Sequence, residues 1–352
     1  MTDDEEIARQ LNERWGPLAA ASRARLEPDP HTKEQILQRI LQEPRQKPPR
    51  RRGRWWPARS RTLLFGGTAA VAAAVVAAVV LVVAWPSTSA PVYAATPPSL
   101  IYQLDRPESA TALLDQLARA AEAAGRPGDG KVEYIHTQSW DLDARIDDRQ
   151  VTTAVVPLDK QIWRKADDAV TTIEKYGTPW FPDATSRRAW QADGSPGSDA
   201  TPRRTEHPPG RYGLLWTERP PTNPDQLRAW LRDNHSITDS GGYFTAVVDL
   251  LKERVLTGPE RAAVLRLLAS LPDVDYTGTV TDRAGRPGAA FSTTSAAGGL
   301  PARHTLILDG TFGRFLAYER TLTTTAGGLN VRIPAVTSYV IFQDARFTTA
   351  AP

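Results

Sequence analysis

Five histidines are the first residues to test for chemistry, because imidazole can serve as acid, base or metal ligand near neutral pH. They are His31, His136, His207, His235 and His304, each far from the next, and no HExxH or paired-ligand spacing joins them. The ordinary reading of each is a solvated or core histidine. Ser292, Ser295 and Ser338 stand in no GxSxG context, and the sequence contains neither a P-loop nor a GxGxxG turn. The chain has no cysteine, which removes disulfides, thiolate metal sites, a thiol nucleophile and a lipidated cysteine anchor. Asp141, Asp143, Asp147 and Asp148 follow Trp140 with something of the alternation of a calcium loop, but the central glycine and closing glutamate are missing. A hairpin turn accounts for those carboxylates equally well. The residues therefore predict no catalytic group, no cofactor and no metal, and the chain is expected not to be an enzyme. A hydrolase using a histidine and carboxylates distant in sequence is the alternative in that class.

Trp140, Trp163, Trp180, Trp190, Trp216 and Trp230 are many large rings for one domain. They could line an apolar ligand cavity, although filling a core is the commoner use of such residues.

The elements that would position these residues begin with Ser109–Ala124, where Leu113, Leu114, Leu117 and Ala121 recur at helical spacing before Gly125 and Pro127. Strand character follows at Val132–Trp140, Arg149–Val156, Asp159–Lys165 and Ala169–Tyr176, read as an antiparallel meander. Residues 177–211 are dense in Pro, Gly, Ser and Asp and predict a long flexible loop with an ordered turn at Ala189–Gly194. Helices are expected at Asn223–Asp233, Gly242–Arg254 and Gly258–Leu271, the last closed by Pro272. Strands are expected again at Asp275–Asp282, Ala289–Thr294, His304–Leu308, Phe315–Thr323 and Ile333–Gln343, with Gly-rich turns between several of them. Antiparallel strands segregated from helices predict an α+β domain whose curved sheet packs its concave face on helices.

Upstream the composition changes. From Thr62 to Trp85 the chain reads as an uncharged Ala/Val-rich run, long enough at ~1.5 Å rise per residue to cross the ~30 Å hydrocarbon core. Arg45, Lys47, Arg50, Arg51, Arg52, Arg54, Arg59 and Arg61 precede it, and the next basic residue after it is Arg106. The positive-inside bias thus places the N-terminus in the cytoplasm and the C-terminal domain outside, with Trp55, Trp56 and Trp85 near the headgroups. The run starts too late for an ordinary signal peptide, which favours an uncleaved anchor, while small residues at Ser87–Ala90, Ala94 and Ala95 leave cleavage open. The formal net charge is only +3, with the basic residues crowded before the apolar run, which argues against nucleic acid as a partner. The expected divisions are a cytoplasmic segment (1–44), a basic linker (45–61), a membrane helix (62–85), an outer linker (86–108) and the outer α+β domain (109–348). In the first segment, Thr32 can cap a short amphipathic helix that places Ile36, Ile40 and Leu41 on one face, a candidate surface for a cytoplasmic partner. The other reading is that this helix rests on the bilayer or stays half-formed.

The order of these features, with Tyr93–Leu100, the stretch Pro224–Leu231, Val248–Leu251, Arg261–Pro272 and Thr281–Arg286, resembles the actinobacterial single-pass membrane proteins of unknown function often encoded beside extracytoplasmic-function sigma factors. The likeness runs over nearly the whole chain. It implies a LolA-like or RseB-like half-open barrel outside the membrane and a sensing or modulating role in sigma-factor control. Residues 1–61 hold His31 but no cysteine, so a zinc-dependent anti-sigma domain is not expected. The first functional expectation is a membrane-anchored regulator that binds an apolar ligand or an envelope protein outside and a regulatory protein such as a sigma factor inside. The alternative is an anchored carrier or structural protein for apolar ligands.

Overall fold

The computed structural model describes residues 96–352 except 105–108, 148–149, 182, 193–200, 298, 328 and 330. The expected cytoplasmic helix with Ile36, Ile40 and Leu41, the cluster Arg50, Arg51, Arg52, Arg54, Arg59 and Arg61, and the apolar run Thr62–Trp85 all lie outside the described residues. Among the described residues no helix is long and apolar enough to cross a membrane.

Helix α1 (Ala110–Ala123) begins where the Ser109 hydroxyl accepts a bond from Ala112 N, and it buries Leu114, Leu117, Ala118 and Ala121. A meander of β1 (Val132–Asp147), β2 (Gln150–Arg164) and β3 (Val170–Tyr176) follows. Helix α2 (Ala184–Ala192) and strand β4 (Arg203–His207) come next. Three helices are then stacked in sequence: α3 (Pro224–Asn234), α4 (Ser240–Glu253) and α5 (Gly258–Ala269). A second meander closes the domain: β5 (Asp275–Thr281), β6 (Pro287–Ser295), β7 (Ala302–Leu308), β8 (Phe315–Leu322) and β9 (Ala335–Thr348).

All nine strands form one sheet in the order β4-β3-β2-β1-β9-β8-β7-β6-β5. Each neighbouring pair is antiparallel, and the two meanders meet where β1 pairs with β9, Trp140 lying opposite Tyr339. The expected α+β class is therefore the observed one, with an open sheet whose terminal strands are β4 and β5.

One sheet face carries the helices. Phe291, Leu306, Leu308, Tyr318, Val340 and Phe342 meet α1, α3, α4 and α5 in a single apolar core. Helix α4 is central to it: Tyr243, Phe244, Val247, Val248, Leu250 and Leu251 are all buried, so apolar side chains occupy most of its circumference. Each such large side chain contributes about 1.5–3 kcal/mol on leaving water. Gly241 permits the close approach of α4 to the sheet, since a Cβ there would lie 2.3 Å from Ser295 Cβ. On the opposite face, Trp140, Val155, Val336, Tyr339 and Ile341 pack together beneath Trp180. Ala154 and Val156, the alternate residues of β2, are covered instead by Trp190 of α2.

Several sequence expectations need correction. The strands expected at Arg149–Val156 and Asp159–Lys165 are one continuous strand, β2, running through Pro157. Proline is tolerated there because its carbonyl accepts from Gly177 N on the side where β3 has already ended, so no ladder donor is missing. Asp141 and Asp143 lie within β1, which continues seven residues past Trp140 to Asp147, the strand's last residue opposite Gln150; Asp148 lies outside the described residues. Residues 177–211 do not form one long loop. They contain α2, which buries Trp190, and β4, which pairs with β3 from Val170↔His207 to Glu174↔Arg203. Strand β9 likewise runs five residues beyond Gln343, because its polar end Asp344–Thr348 pairs with the start of β1.

Candidate functional site

The four described histidines do not converge. His136 Nε2 lies 3.0 Å from Asp159 Oδ2, on the face away from the main helices. His207 meets the Tyr212 ring, His235 stacks on Trp216, and His304 Nδ1 lies 2.8 Å from the Tyr318 hydroxyl under α4. Burial, Arg320 and Asp239 act on His304, with the first two dominant, and its pKa is pulled down to about 4. It is thus a neutral core residue at neutral pH. The serines are also dispersed: Ser292 bonds to Thr305, Ser295 to Asp239, and Ser338 to Asp141. Among the described residues no cluster of histidine and carboxylate side chains could hold a metal ion. Trp140, Trp190 and Trp216 are buried within packed clusters, so the core-filling use of the tryptophans is the observed one for these three.

What the fold does assemble is a set of charges at one end of the sheet. Glu133, near the start of β1, shares its face with Ile135 and points under the helices. Its Oε1 accepts from Arg254 Nη1 at 2.7 Å and lies 3.1 Å from Arg219 Nη1, while Oε2 accepts from Val255 N at 2.7 Å. Arg219 also forks onto Glu260 and donates to Val255 O at 2.8 Å. Glu260 in turn accepts from the Thr257 backbone and hydroxyl at the head of α5. Arg164, opposite Glu133 in the β1–β2 register, donates to Asp168 and to Trp216 O at 2.8 Å. Burial pulls the Arg254 guanidinium down, only partly offset by Glu133. Burial also acts on Arg219, but Glu260 and Glu133 outweigh it and hold that group above its ordinary value.

These bonds fix the segment Leu215–Arg219. Arg164 and Arg254 both donate to Thr217 O, and the Glu253 carboxylate accepts from Leu215 N and Trp216 N at 3.0 and 3.1 Å. The Trp216 ring then stacks on Trp230 of α3, centroids 4.4 Å apart. Burial pushes the Glu253 carboxyl up to about 7 despite those two N–H bonds.

A depression of about 460 Å³ opens beside this cluster, lined by five cationic side chains, Arg126, Lys131, Lys165, Arg219 and Arg254, and two anionic ones, Glu133 and Asp168. Arg126 sits 3.7 Å from the Phe347 ring centroid, which forms part of the wall. Chemically the arrangement offers fixed donors and positive charge, and the Thr257 hydroxyl in its lining is spent on the Glu260 carboxylate.

A second depression, of about 500 Å³, lies along the segment Pro98–Gln103 at the β5 edge. This segment is strapped to the sheet: Gln103 and Thr279 exchange two backbone bonds of 2.8 and 2.9 Å, and Arg283 joins Pro98 O to the buried carboxylate of Glu319. Leu100 and Tyr102 pack on the sheet, whereas Ile101 and Leu104 are 84% and 70% exposed.

No family model matches the sequence, and no curated protein matches it. A solved LolA superfamily protein from Nitrosomonas europaea is similar to this chain at 9% identity, over 68% of this chain and 94% of its own length, with a TM-score of 0.18. At that score the likeness carries no argument. The fold stands on the strand order and the packing described above.

Sequence reasoning did not find the charged cluster, since its members lie at 133, 164, 219, 254 and 260. One signal was present: Glu133 has the same strand parity as Ile135, so a carboxylate falls on the core-facing side of β1 and needs cationic partners.

Proposed function

We propose that the chain is a membrane-anchored regulatory protein, held by residues 62–85, whose outer domain binds a ligand or protein and whose N-terminal segment engages a cytoplasmic regulator such as a sigma factor. One observation carries the preference for a regulator over a carrier. The helix-covered sheet face is filled, with Phe244, Leu250, Phe291, Leu306 and Leu308 at 0% exposure. A carrier of apolar ligands would need α4 to leave that face, at the expense of a close-packed core. The proposal includes a cytoplasmic N-terminus and a LolA-like outer fold, with which the open antiparallel sheet and its helices are consistent.

The test is capture of partners by the full chain in detergent-solubilised membranes, beside the same chain carrying Ile36→Asp and Ile40→Asp. A sigma factor or other cytoplasmic regulator retained only by the unsubstituted chain supports the proposal. Equal capture by both chains leaves residues 1–44 without a contact role and moves the anchored carrier to first place.

A further inference from the structure

We infer that the cationic depression at the β1–β2 end of the sheet is a binding site for a small, multiply charged oxyanion. The inference rests on reading the outer domain as a binding module and names the class of ligand that this module takes.

The charge balance is uneven in a particular way. Inside the cluster, Arg164 is matched by Asp168, while Arg219 and Arg254 are matched by Glu260 and Glu133. The buried charges are therefore internally compensated, as they must be to leave water. Arg126, Lys131 and Lys165 stand outside that balance. Lys131 and Lys165 are exposed and take part in no ion pair among the described residues, and Arg126 donates to a carbonyl, Gly130 O, at 2.6 Å. Their sequence neighbours Asp129 and Asp167 do not line the depression. Three cations thus face one concave space whose two lining carboxylates, Glu133 and Asp168, are already paired with arginines of the cluster.

The placement follows from the register. Glu133 lies opposite Arg164, so Lys131 and Lys165 adjoin the neighbouring ends of β1 and β2, and both line the depression. The donors are also held in place before any ligand arrives. Arg126 is laid over Phe347, and Arg219 and Arg254 are locked by Glu133, Glu260, Val255 O and Thr217 O. Fixed, planar guanidinium groups lose little freedom on binding and suit paired oxygens of phosphates and carboxylates. Arg254, whose side chain lines the depression, also has its Nε buried without an acceptor among the described residues. A volume of about 460 Å³ fits a small molecule or a lipid headgroup, and its charged lining does not suit an apolar ligand.

The experiment is calorimetric titration of the full chain, in phosphatidylcholine nanodiscs at low ionic strength, with inorganic pyrophosphate. The same titration is made with Lys131→Ala combined with Lys165→Ala, both exposed positions outside the buried pairs. Binding by the unsubstituted chain that weakens about tenfold or more in the double variant, and weakens with added salt, is the expected result. Nanodiscs containing phosphatidylglycerol separate the two sources of the anion: competition with pyrophosphate there assigns the site to a headgroup, and unchanged affinity assigns it to a soluble anion. Absence of pyrophosphate binding, or equal affinity in the double variant, overturns the inference. Neither result bears on the cytoplasmic contact, which Ile36→Asp and Ile40→Asp test separately.

Discussion

Glu133 and Arg254 are 121 residues apart in sequence and 2.7 Å apart in space, joined as a buried ion pair between the first strand and the end of the central helix. Around this pair the sheet, the α4–α5 junction and the segment Leu215–Arg219 are fastened together. Its members are worth more as a set than singly, because each neutralises a charge that the core cannot otherwise hold.

Removing one member should therefore be costly. Glu133→Ala leaves Arg254 and Arg219 without their shared carboxylate and Val255 N without its acceptor. A loss of about 3–5 kcal/mol is expected in urea unfolding. A cost below about 1 kcal/mol would mean that water replaces the carboxylate without penalty.

Glu253 gives the domain a pH dependence of definite sign. Its folded-state pKa is raised from 4.5 to about 7, so its contribution is fully present below pH 4.5 and is lost as pH rises through 7. His304 acts in the opposite sense: with its pKa lowered from 6.5 to about 4, stability is lost as pH falls through that interval. The comparison must therefore be with Glu253→Gln. Relative to the unsubstituted chain, this variant should gain on the order of 2–3 kcal/mol between about pH 4 and pH 8, followed by unfolding at each pH.

The approach of α4 to the sheet predicts intolerance at Gly241. Gly241→Ala would put a methyl group 2.3 Å from Ser295 Cβ and 3.3 Å from His304 Cδ2. A loss of about 1–3 kcal/mol is expected, read as a fall in thermal midpoint, whereas Gly310→Ala, with open space at its Cβ, serves as the neutral control.

The strap can be tested through Arg283. Arg283→Ala removes the donor to Pro98 O and strands the buried carboxylate of Glu319. Hydrogen exchange at Gln103 and Thr279, whose amides bond to each other's carbonyls, should accelerate by about tenfold or more, with a smaller change at the α4 amides. Equal acceleration everywhere would mean general unfolding and no separate strap.

Much of the layout was legible because local rules and tertiary demands agree. Ser109, Asn223 and Asp239 cap α1, α3 and α4, and the apolar stripes behind them face the core. The second meander was readable from its strand-forming runs and the Gly-rich turns between several of them. The errors fall where burial overrides composition. Pro157 looked like a break, yet it sits just past the end of the β3 ladder, where no N–H of β2 is needed; α2 and β4 looked like loop because Trp190 alone supplies the apolar anchor of a polar helix, and β4 is polar throughout. The charged depression was illegible for a different reason. Its five donors come from four chain segments, which the β1–β2 register and the α4–α5 junction help bring together.

The seam between β1 and β9 also has a kinetic consequence. Gln343 bonds to Gln138 across 205 residues and Ser338 to Asp141 across 197, whereas each meander is built from near neighbours. Each half can zip up from short hairpins, but joining them requires closure of a very long loop, a step late in the order of events and slow by topology. Until it closes, β1 and β9 each expose an unpaired edge, so the interval before sealing is when the young chain is most open to pairing with another copy of itself.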